Sequence, residues 1–483
     1  MTALRATGVP ADQVLAELAA LRAADLPTHG GRLFAYVYDP AVAGLDALAG
    51  AAYQLAAHVN GLDPTAFPSL LAMENDLVAA AGALLGGGPG GVGSVVGSVT
   101  SGGTESLILA VKAARDGRPE IAQPRLVMPV TAHAALAKAA SYLRVALDLV
   151  PVDPVTLRVD PTDVAAAIGP DTVLVACSAP SYAHGLIDPV ATIAGHAAAA
   201  GVRCHVDACF GGWTLPYLRR LGADVPPFDF SVPGVTSISV DLHKYAYCPK
   251  GVSVLLHRDE GLRASQYFGY AGWPGYTMVN PVISSTRSGG PIAAAWATLR
   301  HLGDDGYLAL ATQTRDAVRG LSAAIAAVEE LRLLPGDSTV ISFTSDALDL
   351  FVLADELANR GWHTQPQFRH GEIPRSIHLT VTAAVAPQVV EFAGDLAKAV
   401  AATRAEGPAA VPEGVLEMLA QVEPEMLTPE VVGALAEGLG LGAGSSVLPA
   451  RMAAVNALLD AAPPPVRERL LVAFLSLLQR PSW

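Results

Sequence analysis

An α/β fold is what this sequence predicts, on three observations. Between about Gly97 and Gly251, short β-branched runs alternate with Ala-rich stretches of helical period. Beyond residue 307 strands and helices follow one another again on a smaller scale, as in an α+β unit with its own sheet. Finally, 51% of the 483 residues are hydrophobic, enough to bury a large core in two or three domains or in one large unit with appendages.

In chain order, the β-branched runs at 125–130, 145–152, 173–177, 202–206 and 236–240 are predicted strands. The stretches 104–115, 134–143 and 190–200 between them are predicted helices, so the sheet should carry helices on both faces. Periodicity weakens through 261–290, where Gly, Tyr, Pro and Ser accumulate, and this reads as a long functional loop. A helix at 307–330, a strand at 340–344, a helix at 348–359, a strand at 376–381 and a helix at 387–404 build the smaller α+β domain. From Gly407 the pattern changes: prolines at 408–412 and 463–465 separate amphipathic helical segments, and the chain turns apolar at 470–478. Its low charge marks this tail as docked helices covering a domain or subunit surface rather than a disordered extension.

Charge excludes several function classes. A net charge of −14 repels phosphates, which opposes nonspecific binding to nucleic acid or to an anionic membrane, so an anionic ligand needs a local basic pocket. Cys177, Cys204, Cys209 and Cys248 have neither the spacing of a metal site nor that of a disulfide framework and read as buried free thiols. Residues 1–10 lack the pattern of a signal peptide. The charge-free stretch 77–104 is broken by glycines and Pro89, so no transmembrane segment is expected and the location is read as cytoplasmic.

Chemistry points first to lysine. Only five lysines occur among thirty-one Lys and Arg, and Lys244 and Lys250 fall six apart in one run. An amine can lose its proton and attack, which a guanidinium does not do, so Lys244 is the candidate nucleophile. The run Ser101-Gly-Gly-Thr-Glu-Ser106 stands before a helical pattern, where free N–H groups and the Thr104 hydroxyl could cradle a phosphate. A plain Gly-rich turn with a helix cap reads equally well there. His205-Val-Asp-Ala-Cys-Phe-Gly-Gly212 follows an apolar strand, which places Asp207 at the strand's C-terminal end, where α/β sheets hold ligands. That carboxylate could keep a proton on a heteroaromatic nitrogen, or simply cap a turn. Phosphate cradle, anion and amine together are what pyridoxal 5′-phosphate requires.

The strings Thr100-Ser-Gly-Gly-Thr-Glu-Ser106, Ala132-His-Ala-Ala135, His184-Gly-Leu-Ile-Asp-Pro189, His205-Val-Asp-Ala208 and Thr236-Ser-Ile-Ser-Val-Asp-Leu-His-Lys-Tyr245 resemble the sphingosine phosphate lyase branch of the group II pyridoxal-phosphate decarboxylases. The likeness runs over roughly residues 33–404 and part of the tail up to about residue 441. It implies the type I fold: a large domain with a mainly parallel seven-stranded sheet at 91–300, a smaller α+β domain at 301–406 and a helical tail at 407–483. Residues 1–90 would contribute to a homodimer and its active site. By the same resemblance Lys244 is the Schiff-base lysine, His243, Gly103 and Thr104 hold the cofactor phosphate, His133 stacks on the pyridine ring, and Asp207 pairs with the ring nitrogen. Thr286 would reach the phosphate from the neighbouring subunit.

Tyr38, Asn60, Tyr182 and Lys250 match positions that such lyases use for the substrate phosphate and for proton transfer, with Tyr182 and Lys250 as the acid–base candidates. Bland readings stand beside them: a core aromatic for Tyr38, a turn residue for Asn60. One position departs from the pattern. Where the lyases carry a His three residues after that Asn, this chain has Asp63, which would repel a phosphate dianion. A free amino alcohol, another amine-bearing group or an amino acid therefore becomes a candidate substrate. The leading expectation is a carbon–carbon lyase releasing an aldehyde from a small-molecule amine. An amino-acid decarboxylase of the same fold and a noncatalytic relative acting through its tail are the alternatives.

Overall fold

The structure, a computed structural model, describes residues 7–411, 413–438 and 451–480. The outer parts of the predicted N-terminal segment and tail, at 1–6, 412, 439–450 and 481–483, lie outside the described residues.

Seven strands form the large sheet: β1 Val96–Thr100, β2 Arg125–Pro129, β3 Ala146–Val150, β4 Thr172–Ser178, β5 Arg203–Asp207, β6 Ser237–Asp241 and β7 Ser253–His257. Their spatial order is β1-β7-β6-β5-β4-β2-β3. The five strands legible in the sequence are β2 to β6, and every pairing among them is parallel. The two that were not, β1 and β7, are the antiparallel pair at one end. Successive residues face opposite layers. Val127, Val175 and Val206 enter one core, while Leu126, Met128, Leu174 and Ala176 enter another beneath the helices Gly103–Asp116 and Ala134–Leu143. A side chain such as Leu136, with no exposed surface, contributes roughly 1.5–3 kcal/mol by burial. Register makes the sheet useful: Ser178 pairs with Asp207 and Asp207 with Ser239, so the C-terminal ends of β4, β5 and β6 finish level along one edge.

The predicted loop at 261–290 is more ordered than its composition suggests. It holds a short helix, Glu260–Ala264, and a hairpin of β8 Phe268–Tyr270 with β9 Met278–Asn280. The helix expected at 307–330 begins earlier and forms Gly289–Ala326, broken at Gly303, whose φ of 60° favours glycine. The smaller sheet runs β10 Arg332–Leu333, β11 Val340–Thr344, β13 Ser376–Thr380, β12 Gln365–Gln367, all antiparallel. Helices Leu350–Ala358 and Val389–Glu406 accompany it, and Phe343, Trp362 and Phe392 form its core. Phe34 inserts there from the N-terminal segment: its N–H donates to the His363 carbonyl (2.9 Å) and its own carbonyl accepts from Thr380 N–H (2.8 Å).

The tail forms helices Glu413–Gln421, Pro429–Gly438, Ala453–Ala461 and Pro464–Leu478 around a small core that includes Leu419, Leu427, Val432 and Val466. It docks on the smaller domain, where the Asp355 carboxylate accepts the N–H groups of Met452 and Ala453, both at 2.9 Å. Among the described residues, no helix is long and apolar enough to cross a membrane.

Candidate active site

At the level edge of β4 to β6 lies a cavity of about 430 Å³. It is bordered by Gly103, Thr104, His133, Tyr182, Asp207, His243 and Lys244, seven of the residues singled out in the sequence, drawn from stretches up to 141 positions apart. The helix Gly103–Asp116 starts at this cavity, and the N–H groups of its first turn have no partners within the helix. Glu105 pins the entry: its Oε2 accepts from Ser101 N–H (2.6 Å) and hydroxyl (2.8 Å), and its Oε1 from Ile283 N–H (2.8 Å). Gly103 is required by crowding. A Cβ there would come within 2.8 Å of Asp241 Oδ1 and of Cys209 Sγ.

Lys244 follows β6 on a tight turn, and its Nζ lies 2.9 Å from Asp241 Oδ2. Burial works against a charge on this amine, but the fields of Asp241, Cys209 and Asp207 outweigh it and raise its proton affinity above that of an ordinary lysine. Asp241 is the counterpart. Burial opposes its ionisation, yet Lys244, His243 and the Ser253 hydroxyl hold it below the usual carboxylate range. The uncharged nucleophile expected from sequence is therefore a protonated, ion-paired amine in this structure, and a ligand that reacts with it must take it from Asp241. Asp241 itself went unremarked in the sequence. Its signal was the spacing Asp-Leu-His-Lys, which puts the carboxylate three residues before the amine.

Asp207 ends β5 with Oδ1 accepting from Cys209 N–H (3.1 Å) and the Ser239 hydroxyl (3.4 Å), while Oδ2 makes no hydrogen bond among the described residues. Below it, the buried His205 ring lies between Ser237 (2.8 Å) and Ser239 (3.2 Å), and burial pushes its pKa down to about 4, which keeps it neutral. His243 Nδ1 donates to the Val252 carbonyl (3.0 Å), and burial, reinforced by Lys250 and Lys244, lowers its pKa despite Asp241. His133 caps the helix Ala134–Leu143 by accepting Ala135 N–H at Nδ1 (3.1 Å), which fixes its ring at the cavity wall. Tyr182 stands edge-on to it and donates its hydroxyl hydrogen to Gln365 Oε1 (2.9 Å). Burial raises the Tyr182 pKa above the usual phenol value.

The remaining named residues lie elsewhere in the chain. Tyr38 packs edge-on to Phe210 and Tyr245, and Lys250 Nζ lies 5.2 Å over its ring; neither side chain borders the cavity. Asn60 and Asp63 border a second cavity of about 620 Å³ with Glu74 and Arg287. Asp63 closes a local turn by accepting the Thr65 N–H (2.8 Å) and hydroxyl (2.6 Å), and Asn60 accepts Leu62 N–H (3.1 Å). Thr286 belongs to the same neighbourhood, since Asn60 bridges Ser288 and Gly61 N–H donates to the Arg287 carbonyl (2.9 Å). One chain thus divides the named residues into three groups: those at the cavity, the Tyr38–Lys250 pair beside it, and those around the second cavity.

The first group fits pyridoxal phosphate. An amine, a carboxylate oxygen left without a partner and a helix start too crowded for any side chain at Gly103 answer its aldehyde, ring nitrogen and phosphate. All four cysteines are buried with free thiols, and among the described residues no group of three or more His, Cys, Asp or Glu is placed to hold a metal.

Comparison with known proteins agrees. Residues 25–343 match the family described as Pyridoxal-dependent decarboxylase conserved domain. Residues 413–477 match the description "Pyridoxal-dependent enzyme, C-terminal putative HTH domain". The sphingosine-1-phosphate lyase of Arabidopsis thaliana is 39% identical over 358 residues, covering 73% of this chain and 65% of the relative. That of Oryza sativa subsp. japonica is 36% identical over 406 residues, covering 82% and 74%. The chain therefore spans just under two thirds of the Arabidopsis protein's length. Among solved structures, the Burkholderia pseudomallei sphingosine-1-phosphate lyase superposes with a TM-score of 0.79 at 37% identity, covering 84% of this chain and 94% of that one. Lactobacillus brevis glutamate decarboxylase shares the fold, with a TM-score of 0.72 at 20% identity over 83% of this chain and 95% of that one. The chain belongs to the pyridoxal-dependent decarboxylase family, in its sphingosine-1-phosphate lyase branch, and its cofactor is pyridoxal 5′-phosphate.

Proposed function

We propose that the protein is a carbon–carbon lyase acting on a small amine that carries a hydroxyl on the neighbouring carbon, releasing an aldehyde. The observation that carries this reading is the meeting of Lys244, Asp207 and Gly103 at one cavity, in a chain whose relatives are named for lyase activity. Bound pyridoxal phosphate supplies an aldehyde for amines and a ring that accepts electrons from a breaking bond. The protein's residues do the rest. Lys244 Nζ, released from Asp241, offers the amine that holds the cofactor and later takes or returns a proton. Asp207 would keep a proton on the ring nitrogen, while the first turn at Gly103 and Thr104, with His243, would take the phosphate. His133, at the cavity wall, would cover one ring face.

Because Tyr182 commits its hydrogen to Gln365, its oxygen acts as an acceptor, and a substrate hydroxyl would share it with the nearby Thr380 hydroxyl. Lys250, whose pKa is lowered by burial and by Lys244, lies over the Tyr38 ring outside the cavity lining, so Lys244 is the nearer amine for moving the proton. A noncatalytic role fits poorly with the cofactor-facing groups gathered at one cavity, and the Lactobacillus brevis glutamate decarboxylase shares the fold at only 20% identity.

The active form in this reading is a homodimer. Asn60, Asp63 and Thr286 border no cofactor cavity of their own chain, and helix Ala11–Leu21 leaves Val14, Leu15, Leu18 and Leu21 exposed. A second copy would cover that face and receive Thr286 at its phosphate. In the segment matched at 413–477, eight Asp and Glu stand against three Arg, a balance that favours protein contacts over nucleic acid. The test is to incubate the holoenzyme with amino acids, amino alcohols and their phosphates and to identify products by mass. Aldehyde is expected from an amino alcohol or its phosphate; carbon dioxide from an amino acid, with no aldehyde from any amine, would refute the lyase reading.

A further inference from the structure

The C-terminal helices reach the active site through one edge strand. Asp460, on helix Ala453–Ala461, has a side chain only 3% exposed; its Oδ1 accepts Arg369 N–H (2.6 Å) and its Oδ2 pairs with Arg375 Nε (2.5 Å). The Arg467 guanidinium lies 4.9 Å over the Phe368 ring, and Phe368 packs edge-on to Phe351. Arg369 and Phe368 directly follow β12, whose side chains point the connection onward. Gln365 Oε1 receives the Tyr182 hydroxyl (2.9 Å), and Gln367 Nε2 donates to the carbonyl of Ala183 (2.8 Å). The neighbouring β13 completes the grip: His378, paired with Gln365 in the sheet, lies 4.6 Å from the Tyr182 ring, and its Nδ1 is 3.2 Å from the same Ala183 carbonyl.

β12 needs such fastening. It is a three-residue edge strand containing Pro366, so its ladder is short and one backbone donor is missing. An edge strand this weak shifts readily unless the loop after it is held. We propose that the C-terminal module is a positioning clamp: Asp460 fixes the loop after β12, and β12 fixes the Tyr182 hydroxyl where it meets substrate. Gln365 and Asp460 are positioning residues, and the tail sets the geometry of a group it does not touch. The proposal rests on the lyase reading for its kinetic arm only.

The test uses holoenzyme carrying Gln365→Leu, Asp460→Asn and both, with sphingosine 1-phosphate and sphingosine as probe substrates. Gln365→Leu should lower kcat about tenfold and Asp460→Asn about threefold, the range that one hydrogen bond to the acting hydroxyl supports. KM and cofactor affinity should stay within about twofold, and the double variant should match Gln365→Leu, because both act on the same contact. Amide hydrogen exchange, which needs no substrate, should rise in Asp460→Asn at both 365–370 and 181–186. Exchange that rises only in the tail, or losses that multiply in the double variant, would overturn the clamp. A wild type that cleaves neither probe would count against the lyase reading, and the exchange arm would then decide the clamp alone. Should Asp460→Asn fail to fold, Arg375→Gln breaks the same ion pair from its exposed side.

Discussion

Gly103→Ala asks whether the cofactor cradle is as tight as the geometry says. The added methyl would lie 2.8 Å from Asp241 Oδ1 and Cys209 Sγ and 2.9 Å from Asp241 Oδ2, well inside ordinary contact. Relief requires Asp241 to move, but that carboxylate is held by Lys244 Nζ at 2.9 Å and by the Ser253 hydroxyl. Overpacking of this kind costs about 1–3 kcal/mol. If the helix start shifts instead, the phosphate donors move with it, and the loss appears as roughly ten- to hundredfold weaker cofactor binding at about 1.4 kcal/mol per factor of ten. The assay is titration of apoprotein with pyridoxal phosphate, followed by its absorption, beside thermal unfolding of the apoprotein. A variant that binds within twofold of wild type and unfolds at the same temperature would refute the crowding argument.

Other consequences follow from the charges. Asp241→Asn should destabilise the apoprotein by roughly 3 kcal/mol near neutral pH, since it strands a buried ammonium. Lys244 has a raised pKa in the fold, so its share of that stability is full below the unfolded lysine value and fades as pH climbs through the folded one. Asp241 has a depressed pKa, so its share is present above the unfolded carboxylate value and is lost as pH falls through the folded one. Wild type and variant should therefore converge in Tm at both pH extremes, and a constant difference across pH would contradict the ion pair. Burial pushes the Asp188 carboxyl up to about 7. A raised folded pKa erodes stability as pH climbs from the unfolded carboxylate value to about 7, above which the penalty stays constant, so Asp188→Asn should raise Tm at pH 8 and leave it nearly unchanged at pH 4; equal shifts at both would be inconsistent. Asp63→His should improve kcat/KM for a phosphorylated amino alcohol over its free form by about fivefold, the size of a partly screened charge contact, and an unchanged ratio would place residue 63 away from the substrate phosphate.

The parallel core of the large sheet was legible because β2, β4, β5 and β6 are buried almost throughout and read as apolar runs between helical stretches, and the partly exposed edge strand β3 still carries an apolar run. β1 was hidden by Gly97, which a strand pattern does not ask for. A Cβ there would meet the Leu255 carbonyl oxygen at 2.6 Å, a reason that exists only in three dimensions. The β8–β9 hairpin was masked by the Gly and Pro residues between its strands, and β12 by its proline and polar side chains. Site residues carried by contiguous motifs, such as Lys244 and Asp207, could be named from the chain. Gln365 could not: it meets Tyr182 across 183 positions, and no local pattern announces a glutamine on an edge strand. Asp63 shows the converse, because its identity was informative while its local role, bonding Thr65, is a turn that any Asp could make.

Borohydride reduction of the holoenzyme, followed by peptide mass mapping, tests the central claim most directly. The account expects one pyridoxyl phosphate group on the peptide containing Lys244 and loss of the yellow absorption, with neither seen in Lys244→Ala. A label on Lys250 or on another lysine, or an identical spectrum from Lys244→Ala, would contradict it.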